Sequence, residues 1–350
     1  MAETNNDSTS HERELPKYIL ALDIGGTHTR LALIESKGYV IAKFRSIYSS
    51  IITDITDPIN DFLKDCHKDN QAWTTDTAAI ACAGIVENNK CPNMVNVPFS
   101  IDDQKIIQKT CLKTILVMND FVAEAYGALH FKDNKDVITP LTENSSDEQK
   151  PMAVIGAGTG LGMSLIINNK AVPSEGGHTL LGAQTTELQH IQSLLQQKID
   201  PLRYEDVVSG KGITRIYDIL YDEHKHEQKR IHEELRQLAF PKQDKDAKDK
   251  AGMIMDLARQ GDPLCKKAID LFFSWYGYFA QSVALMILAK GGIFLAGGIV
   301  AKNEDLLKTS PFMQSFTHHR EYTTLLKNIP VYAVKEQRLP LYGAVYALGY

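Results

Sequence analysis

Two hydrophobic patterns alternate along the chain. Short apolar runs that end in glycine or in a polar pair are typical of buried strands, and longer stretches with an apolar face are typical of helices. The runs Lys17–Ile24, Thr114–Asp120 and Met152–Ile155 predict buried strands, and Leu161–Pro173 predicts a hairpin. The long apolar stretch Asp262–Ala289 predicts a helix. Strand, glycine turn and hairpin occur twice, which favours a doubled α/β unit with a cleft between its halves.

The first predicted strand ends near Asp23 and runs into a glycine turn that contains Gly25, Gly26 and Thr27. The backbone amides and the Thr27 hydroxyl can bind phosphate oxygens, and Asp23 can hold Mg²⁺ through water, as this ion prefers. A plain β-hairpin turn with a capping aspartate is the alternative. The turn is not a P-loop, because no lysine followed by serine or threonine closes it. A strand pattern follows it, which argues against a Rossmann fingerprint.

Two further glycine turns follow apolar strands. The first, Gly156–Gly162, contains four glycines in seven residues, and the second lies near the end of the chain. Glycine has no Cβ and tolerates positive φ, so the backbone of such a turn can approach an anion. Close packing of a hairpin is the alternative. The candidate ligand contacts in these turns are Gly158, Thr159, Gly160, Gly297 and Gly298.

Polar residues also stand at the end of the strand Thr114–Asp120. Asn119 and Asp120 lie there, directly before the helical pattern Phe121–His130. Helix N-capping is the commonest role for such residues. A carboxylate at the carboxyl end of a central strand also faces the crevice in which α/β folds bind ligands. Asn96 lies in a predicted loop, where it is either a polar ligand contact or a turn residue.

Composition limits the classes of function. A net charge of -5 argues against nucleic acid as a partner. No apolar run is long enough to span a membrane, and the polar N-terminus has no signal peptide; with no peroxisomal address at the C-terminus, this predicts a cytoplasmic protein. The five scattered cysteines predict reduced thiols. The segment Asp222–Lys250 carries charges of both signs and three histidines, His224, His226 and His232; a solvated helix face is favoured over a metal site.

Taken together, these motifs resemble the bacterial-type glucokinase family of the actin-like ATPase and sugar-kinase superfamily. ALDIGGTHTR and GAGTGLG resemble its two phosphate motifs, VMNDF its catalytic strand end and FLAGGIV its adenosine-side turn. EGGH, from Glu175 to His178, and EDVVSG, from Glu205, resemble its two sugar-binding segments. The matches run in order from Tyr18 to the C-terminal helix. The cysteine-rich zinc segment of the ROK kinases is absent, which favours the other branch.

The resemblance implies a two-domain α/β fold of the actin-like (ribonuclease H-like) type, with a ligand cleft between the lobes. We expect a disordered tail over residues 1–16, a small domain over 17–118 plus 335–350, and a large domain over 119–334. The resemblance also implies a homodimer, for which the long aromatic helix could serve as a contact. The N-terminal extension and the segment 222–250 look longer than the usual bacterial pattern.

The resemblance implies that the chain phosphorylates D-glucose at its 6-hydroxyl with ATP and Mg²⁺, the first step of glycolysis, without nucleic acid or membrane as a partner. Asp120 is the expected general base. The expected sugar contacts are Asn96, Asn119, Asp120, Glu175, His178 and Glu205. The expected nucleotide contacts are Asp23, Gly25, Gly26, Thr27, Gly158, Thr159, Gly160, Gly297 and Gly298, with Asp23 also holding Mg²⁺ through water.

Three alternatives stay open. A related hexose kinase would use another sugar, such as mannose, fructose or an N-acetylhexosamine, or another donor, such as polyphosphate or ADP. A non-catalytic sugar sensor on the same fold usually carries a helix-turn-helix, whereas only a short polar tail precedes the first strand here. An actin-like or chaperone ATPase would leave the two sugar-binding segments unexplained.

Overall fold

The chain forms two compact α/β units. The computed structural model describes residues 15–94, 97–147, 149–223, 230–237 and 250–349. The first unit contains the residues up to His130 and those from Leu339 onward, and the second contains Phe131–Arg338. Of the tail expected to be disordered, residues 1–14 lie outside the described residues, and Leu15 packs against buried apolar residues of the first unit.

Most of the predicted strands and helices are present, with small shifts at their ends. The strands are β1 (Tyr18–Ile24), β2 (His28–Glu35), β3 (Val40–Tyr48), β4 (Thr77–Cys82), β5 (Lys90–Cys91), β6 (Ile101–Asp102), β7 (Thr114–Asn119), β8 (Ile138–Pro140), β9 (Met152–Ala157), β10 (Leu161–Ile167), β11 (Lys170–Ser174), β12 (Gly292–Ala296) and β13 (Val331–Val334). The helices are α1 (Thr56–Asp69), α2 (Asp103–Lys109), α3 (Asp120–Phe131), α4 (Thr186–Gln196), α5 (Gly210–Glu223), α6 (Arg230–Gln237), α7 (Lys250–Arg259), α8 (Pro263–Ile287), α9 (Gly297–Lys302), α10 (Glu304–Thr309), α11 (Phe312–Thr317), α12 (Thr323–Lys327) and α13 (Leu339–Ala347).

The first unit is built on a five-stranded sheet in the order β3-β2-β1-β4-β7. The first three strands form an antiparallel meander, and β4 and β7 extend it in parallel from β1. Strands β1 and β4 are buried almost throughout because apolar residues cover both faces of the sheet. The carboxyl ends of β1, β4 and β7 therefore lie at one edge of this sheet.

Helix α3 belongs to the first unit, whereas the sequence-based division began the large domain at residue 119. The difference follows from close packing of α3 on α13. A Cβ at Gly127 would collide with Leu339, and a Cβ at Gly343 would collide with the carbonyl oxygen of Ala123. Because two glycines let these helices approach so closely, α3 stays with the C-terminal helix.

The second unit repeats the same plan with a six-stranded sheet, in the order β11-β10-β9-β12-β13-β8. Strands β9, β10 and β11 form an antiparallel meander, and β12 and β13 run parallel to β9. The doubled pattern of strand, glycine turn and hairpin that the sequence predicts is thus confirmed. A glycine turn follows β9 and β12, so the two turns lie at the same edge of this sheet.

The core of the second unit is built around the long helix α8. Its aromatic side chains are buried, and two of them bond to the backbone of neighbouring segments. Trp275 Nε1 donates to the carbonyl oxygen of Gly182 at 3.1 Å, and the Tyr276 hydroxyl donates to that of Ile155 at 2.8 Å. These residues therefore stabilise the unit from within.

Among the described residues, no helix combines the length and the apolar character that a membrane crossing requires.

Candidate active site

Asp23 lies one residue before the end of β1, where its carboxylate is buried. Arg30 Nη1, on the facing strand, donates to Asp23 Oδ2 at 2.8 Å. Burial raises the pKa of Asp23 above its ordinary value, although the charge and hydrogen bond of Arg30 act in the opposite direction. A buried hard oxygen donor beside a glycine turn fits the chemistry of a magnesium site.

The turn after Asp23 is fixed by its own hydrogen bonds. The Gly25 N–H donates to the carbonyl oxygen of His28 at 3.0 Å, and the Ser49 hydroxyl donates to the carbonyl oxygen of Gly25 at 2.6 Å. The Gly25 N–H therefore closes the turn and is not available to a phosphate. The expected contact at Gly25 would then be a close approach of the phosphate to the backbone, which glycine permits because it has no side chain. Thr27 is exposed.

Asn119 and Asp120 stand where β7 ends and α3 begins. Asn119 Oδ1 accepts from the backbone N–H groups of Phe121 and Val122, at 2.9 and 3.3 Å, so Asn119 caps the helix. Asn119 Nδ2 donates to the carbonyl oxygen of Gly84 at 3.1 Å. Asp120 Oδ1 also accepts from the Phe121 N–H, at 3.0 Å, and the Asp120 side chain is half-buried. The capping interpretation is therefore confirmed for Asn119, and it fixes the backbone that carries Asp120.

The glycine turn of the second unit connects β9 to β10. The Gly158 N–H donates to the carbonyl oxygen of Gly160 at 2.9 Å, and the carbonyl oxygen of Gly158 accepts from the Gly210 N–H at 2.9 Å. The turn is therefore closed on itself and tied to the first residue of α5. A Cβ at Gly160 would collide with the carboxylate of Glu205, so a side chain there would displace that carboxylate.

Gly297 and Gly298 follow β12 and begin α9. Gly297 has a φ of +85°, in the left-handed region, and a Cβ there would collide with the carbonyl oxygen of Ala157. Apart from its chain neighbours and the backbone of its own helix, none of the described residues lies within 4 Å of the position that a Cβ at Gly298 would take. The end of β12 and the glycine turn after β9 are therefore in contact, and the backbone at Gly298 is open to a ligand.

Three residues of the predicted sugar site lie together in the second unit. His178 Nε2 lies 3.7 Å from Glu175 Oε2, and His178 Nδ1 lies 4.0 Å from Glu205 Oε1. Glu205 Oε2 accepts from the Leu161 N–H at 3.1 Å. Glu175 and His178 are about half-exposed, and Glu205 is more buried. The cluster combines two carboxylate acceptors with an imidazole, a set that can bind neighbouring hydroxyls.

The predicted residues thus fall into two groups, one on each unit. Asn119 and Asp120 lie in the first unit with Asp23 and its turn, and the carboxylate cluster lies in the second unit with the other glycine turns. Asn96, the remaining predicted sugar contact, lies outside the described residues.

Comparison with known proteins decides the family. The family model described as Glucokinase matches residues 20–349. The chain belongs to the glucokinase family. It is 33% identical to the glucokinase of Nostoc sp. over 346 residues, which cover 93% of this chain and 97% of that relative. It is 30% identical to the glucokinase of Neisseria gonorrhoeae over 356 residues, covering 100% of this chain and 98% of that relative.

Solved structures of glucokinases share the fold. The glucokinase of an Antarctic psychrotroph superposes with a TM-score of 0.77 at 25% identity, covering 95% of this chain and 99% of that chain. A ROK family glucokinase of Streptomyces griseus, in complex with glucose and AMPPNP, superposes with a TM-score of 0.64 at 19% identity, covering 94% and 98%. The predicted glucokinase resemblance and the predicted actin-like α/β fold are therefore confirmed.

One residue of this candidate site was not predicted from the sequence. Arg203 lies two residues before Glu205, and its Nη1 is 3.1 Å from His178 Nδ1. Its backbone N–H and its Nε also contact Asp206 Oδ2, at 3.0 and 3.2 Å. The only signal in the sequence is the spacing of arginine and aspartate at i and i+3, which predicts a local cap but does not point to His178, 25 residues away.

The prediction of a solvated face was wrong for His232. Its imidazole is buried, with Nδ1 3.1 Å from the Tyr217 hydroxyl and Nε2 3.2 Å from Asp262 Oδ2. The charged residues around His232 predict an exposed helix face, but His232 and Leu235 of α6 are buried against the core of the second unit. His224 and His226 lie outside the described residues.

His232 also belongs to a group of three potential metal ligands. Donor atoms of His232, Asp262 and Cys265 lie within 4.8 Å of one another in the described part of the chain. Each already has a protein partner, because Asp262 pairs with His232 at 3.2 Å and is hydrogen-bonded to the Cys265 thiol. Asp262 also caps α8 at the Cys265 N–H, 2.9 Å away. Burial, followed by the charge of Asp262, raises the pKa of the Cys265 thiol, whereas a metal needs the thiolate. The group is therefore best described as an internal hydrogen-bond anchor for α6.

Proposed function

We propose that this glucokinase family member phosphorylates D-glucose in line, with Asp120 as general base and Glu175, His178 and Glu205 as sugar contacts. Family membership assigns ATP-dependent conversion of D-glucose to glucose 6-phosphate. The observation that carries the assignment is the family match over residues 20–349, which spans both groups of predicted site residues. The roles of individual residues are supported by their positions at strand ends and glycine turns.

Asp120 is the proposed acceptor of the 6-hydroxyl proton. As the sugar oxygen bonds to the γ-phosphorus, the bond from that phosphorus to the bridging oxygen of ADP breaks, and the hydroxyl proton passes to the carboxylate. Support comes from the geometry of α3: the Phe121 N–H holds Asp120 Oδ1, and Asn119 caps the helix. A carboxylate fixed in this way needs little reorganisation to act as a base.

The proposed sugar site recognises hydroxyl groups by paired acceptors and a donor. Glu175 and Glu205 accept from hydroxyls, His178 provides a ring nitrogen, and Asn119 and Asn96 complete the expected set. A site of this kind rejects an epimer because a misplaced hydroxyl leaves a carboxylate or an imidazole unpaired. This is the physical basis for preferring glucose to mannose or fructose.

The proposed nucleotide site uses the backbone of three glycine turns and Asp23. The turns are those at Gly25–Thr27, Gly158–Gly160 and Gly297–Gly298, where short or absent side chains let phosphate oxygens approach the backbone. The Gly25 and Gly158 N–H groups close their own turns, so other amides of these turns are the proposed donors. Asp23 would hold Mg²⁺ through water. When bound, Mg²⁺ supplies positive charge to the phosphate oxygens as charge develops on them.

A coupled assay tests this function. ATP consumption is measured with and without glucose and with and without Mg²⁺, and then with mannose, fructose and N-acetylglucosamine as acceptors and polyphosphate and ADP as donors. We expect consumption that depends on both glucose and Mg²⁺. Glucose-independent hydrolysis would support an ATPase instead, and a higher kcat/KM with another sugar or donor would support the corresponding related kinase.

Assembly and location are further proposals that follow from the family. We expect a homodimer, measured by sedimentation at micromolar concentration, and a cytoplasmic location, measured by cell fractionation. The aromatic side chains of α8 do not serve the dimer contact, because they are buried within the second unit. A dimer would therefore use another surface.

A further inference from the structure

Arg203 connects a buried carboxylate to the proposed sugar site. Its backbone N–H and its Nε both donate to Asp206 Oδ2, at 3.0 and 3.2 Å. The same guanidinium places Nη1 3.1 Å from His178 Nδ1. One side chain thus bonds at once to a fixed anchor and to the imidazole that lies between Glu175 and Glu205.

Asp206 is suited to be that anchor. Its carboxylate is buried, and Arg215 Nη1 donates to its Oδ1 and to its carbonyl oxygen, at 3.1 and 2.9 Å. Burial alone would raise the pKa of Asp206, but the hydrogen bonds and charge of Arg203 and the charge of Arg215 outweigh it, and the pKa is lowered. Asp206 therefore stays ionised, and it determines where the planar guanidinium of Arg203 points.

The contact from Arg203 determines which nitrogen of His178 carries the proton. A guanidinium has N–H donors and no acceptor, so His178 Nδ1 must accept with its lone pair. In a neutral imidazole the proton is then on Nε2. His178 Nε2 lies 3.7 Å from Glu175 Oε2, too far for a direct hydrogen bond. A sugar hydroxyl can accept from Nε2–H while it donates to Glu175.

We propose that Arg203 is a positioning residue for sugar recognition, which holds His178 as the Nε2–H tautomer so that the site offers one fixed donor among carboxylate acceptors. The inference rests on the proposed function, because it takes the cluster of Glu175, His178 and Glu205 to be the sugar site. Without Arg203 the His178 imidazole exchanges between its two tautomers. In the molecules that carry the proton on Nδ1, the sugar hydroxyl faces the lone pair of Nε2 and receives no hydrogen bond from it.

The first test reads the tautomer directly. In ¹⁵N-labelled protein, a long-range ¹H–¹⁵N spectrum distinguishes protonated from unprotonated ring nitrogens, and His178→Ala identifies the signal. We expect a protonated Nε2 and an unprotonated Nδ1 in the wild-type protein, and a mixture in Arg203→Met. A wild-type Nδ1–H tautomer overturns the proposal, and this result does not depend on how well any Arg203 variant folds.

The second test compares two arginines on the same anchor. Arg203→Met and Arg215→Met each remove a partner of Asp206, but only Arg203 contacts His178. We expect Arg203→Met to raise the glucose KM about twofold or more, because only the molecules with the proton on Nε2 offer the donor to glucose, with a much smaller change in kcat and in the ATP KM. Arg215→Met leaves the contact between Arg203 and His178 in place, so it should change the tautomer and the glucose KM less than Arg203→Met does. Equal effects of the two variants would indicate a merely structural role and overturn the proposal.

A double-mutant cycle separates this inference from the proposed function. In the His178→Ala background, Arg203→Met adds no further increase in the glucose KM if Arg203 acts through His178. Additive effects overturn the positioning role. If His178→Ala raises the glucose KM and Arg203→Met does not, the positioning role fails and the proposed sugar site stands. If neither Glu175→Gln nor His178→Ala changes the glucose KM, the proposed sugar site itself fails.

Discussion

The backbone N–H of Leu161 donates a hydrogen bond to Oε2 of Glu205, 3.1 Å away. This bond fastens the last part of the glycine turn after β9 to a carboxylate of the proposed sugar site. The absent side chain at Gly160 makes room for the same carboxylate. The proposed phosphate turn and the proposed sugar cluster are therefore joined through Glu205 within the second unit, and a change at this contact should affect the binding of both substrates.

Substitution of Gly160 tests that coupling. In Gly160→Ala the new methyl group collides with the Glu205 carboxylate, so we expect the KM for glucose and the KM for ATP to rise together. Gly158→Ala is the matched control, since apart from its two chain neighbours none of the described residues lies within 4 Å of its Cβ position. It should raise the ATP KM and leave the glucose KM unchanged. A wild-type glucose KM in Gly160→Ala would show that Glu205 moves without loss of function.

Asp120→Asn tests the general base. The amide oxygen can still accept from the Phe121 N–H, so the start of α3 is retained, but the amide cannot take up the hydroxyl proton. We expect kcat to fall roughly 10²- to 10⁴-fold, while glucose affinity measured by calorimetry changes little. Asp136→Asn, at an exposed position, is the control for loss of one negative charge. A variant with near wild-type kcat would refute the assignment of Asp120.

Glu175→Gln and His178→Ala test the sugar cluster. Glu175→Gln replaces a charged acceptor with a weaker neutral one, and His178→Ala leaves a glucose hydroxyl without its partner, so we expect the glucose KM to rise roughly tenfold or more, with little change in the ATP KM. Glu187→Gln is the matched control, because Glu187 forms a surface ion pair with Lys267. An unchanged glucose KM in both site variants would show that the segment from Glu175 to His178 is only a structural turn.

The strands and turns of this protein were predictable because burial leaves a strong local pattern. The apolar run that forms β7 and the polar pair that ends it are adjacent in the sequence, so a local reading is enough to place Asn119 and Asp120 at a helix start. The same reading left two roles open for Asn119. The side-chain amide of Asn119 also donates to the carbonyl oxygen of Gly84, 35 residues away, and the local sequence does not indicate this contact.

Prediction from the local sequence pattern fails for Arg203 and His232. The contact between Arg203 and His178 joins segments that only the fold brings together, and nothing in either segment specifies the partner. His232 lies among charged residues, and its pattern is that of a solvated helix until Tyr217 and Asp262 are placed around it. Both are polar residues whose surroundings come from distant segments, whereas apolar periodicity is a property of a segment itself.

Asp23→Asn tests a trade between stability and activity. The pKa of Asp23 is raised by burial, so its contribution to stability is fully present below the unfolded pKa and is lost as the pH rises through the folded pKa. Asparagine removes that loss, and Arg30, whose side chain is 32% exposed, can still be hydrated. We expect the Tm of Asp23→Asn, relative to wild type, to increase between about pH 4 and pH 7. Activity should fall and require more Mg²⁺.

Asp69→Asn is the control for that comparison, because Asp69 forms an exposed ion pair with Lys43. Its Tm difference from wild type should not increase over the same range of pH. An unchanged Mg²⁺ requirement in Asp23→Asn would count against Asp23 as the residue that holds the ion. A Tm difference that decreases with pH would show that the ion pair with Arg30 outweighs burial.

His232→Ala tests the anchor of α6. The substitution removes the contacts with Tyr217 and Asp262 from a buried position, so we expect the free energy of unfolding to fall by on the order of 3 kcal/mol. His190→Ala is the matched control, because His190 forms an exposed pair with Glu223 at 2.6 Å and exposed pairs contribute about 1 kcal/mol or less. Urea unfolding measures both. A chelator should leave the wild-type Tm unchanged, since the donors of this cluster bond to one another; a chelator-dependent loss of stability would instead show a bound metal.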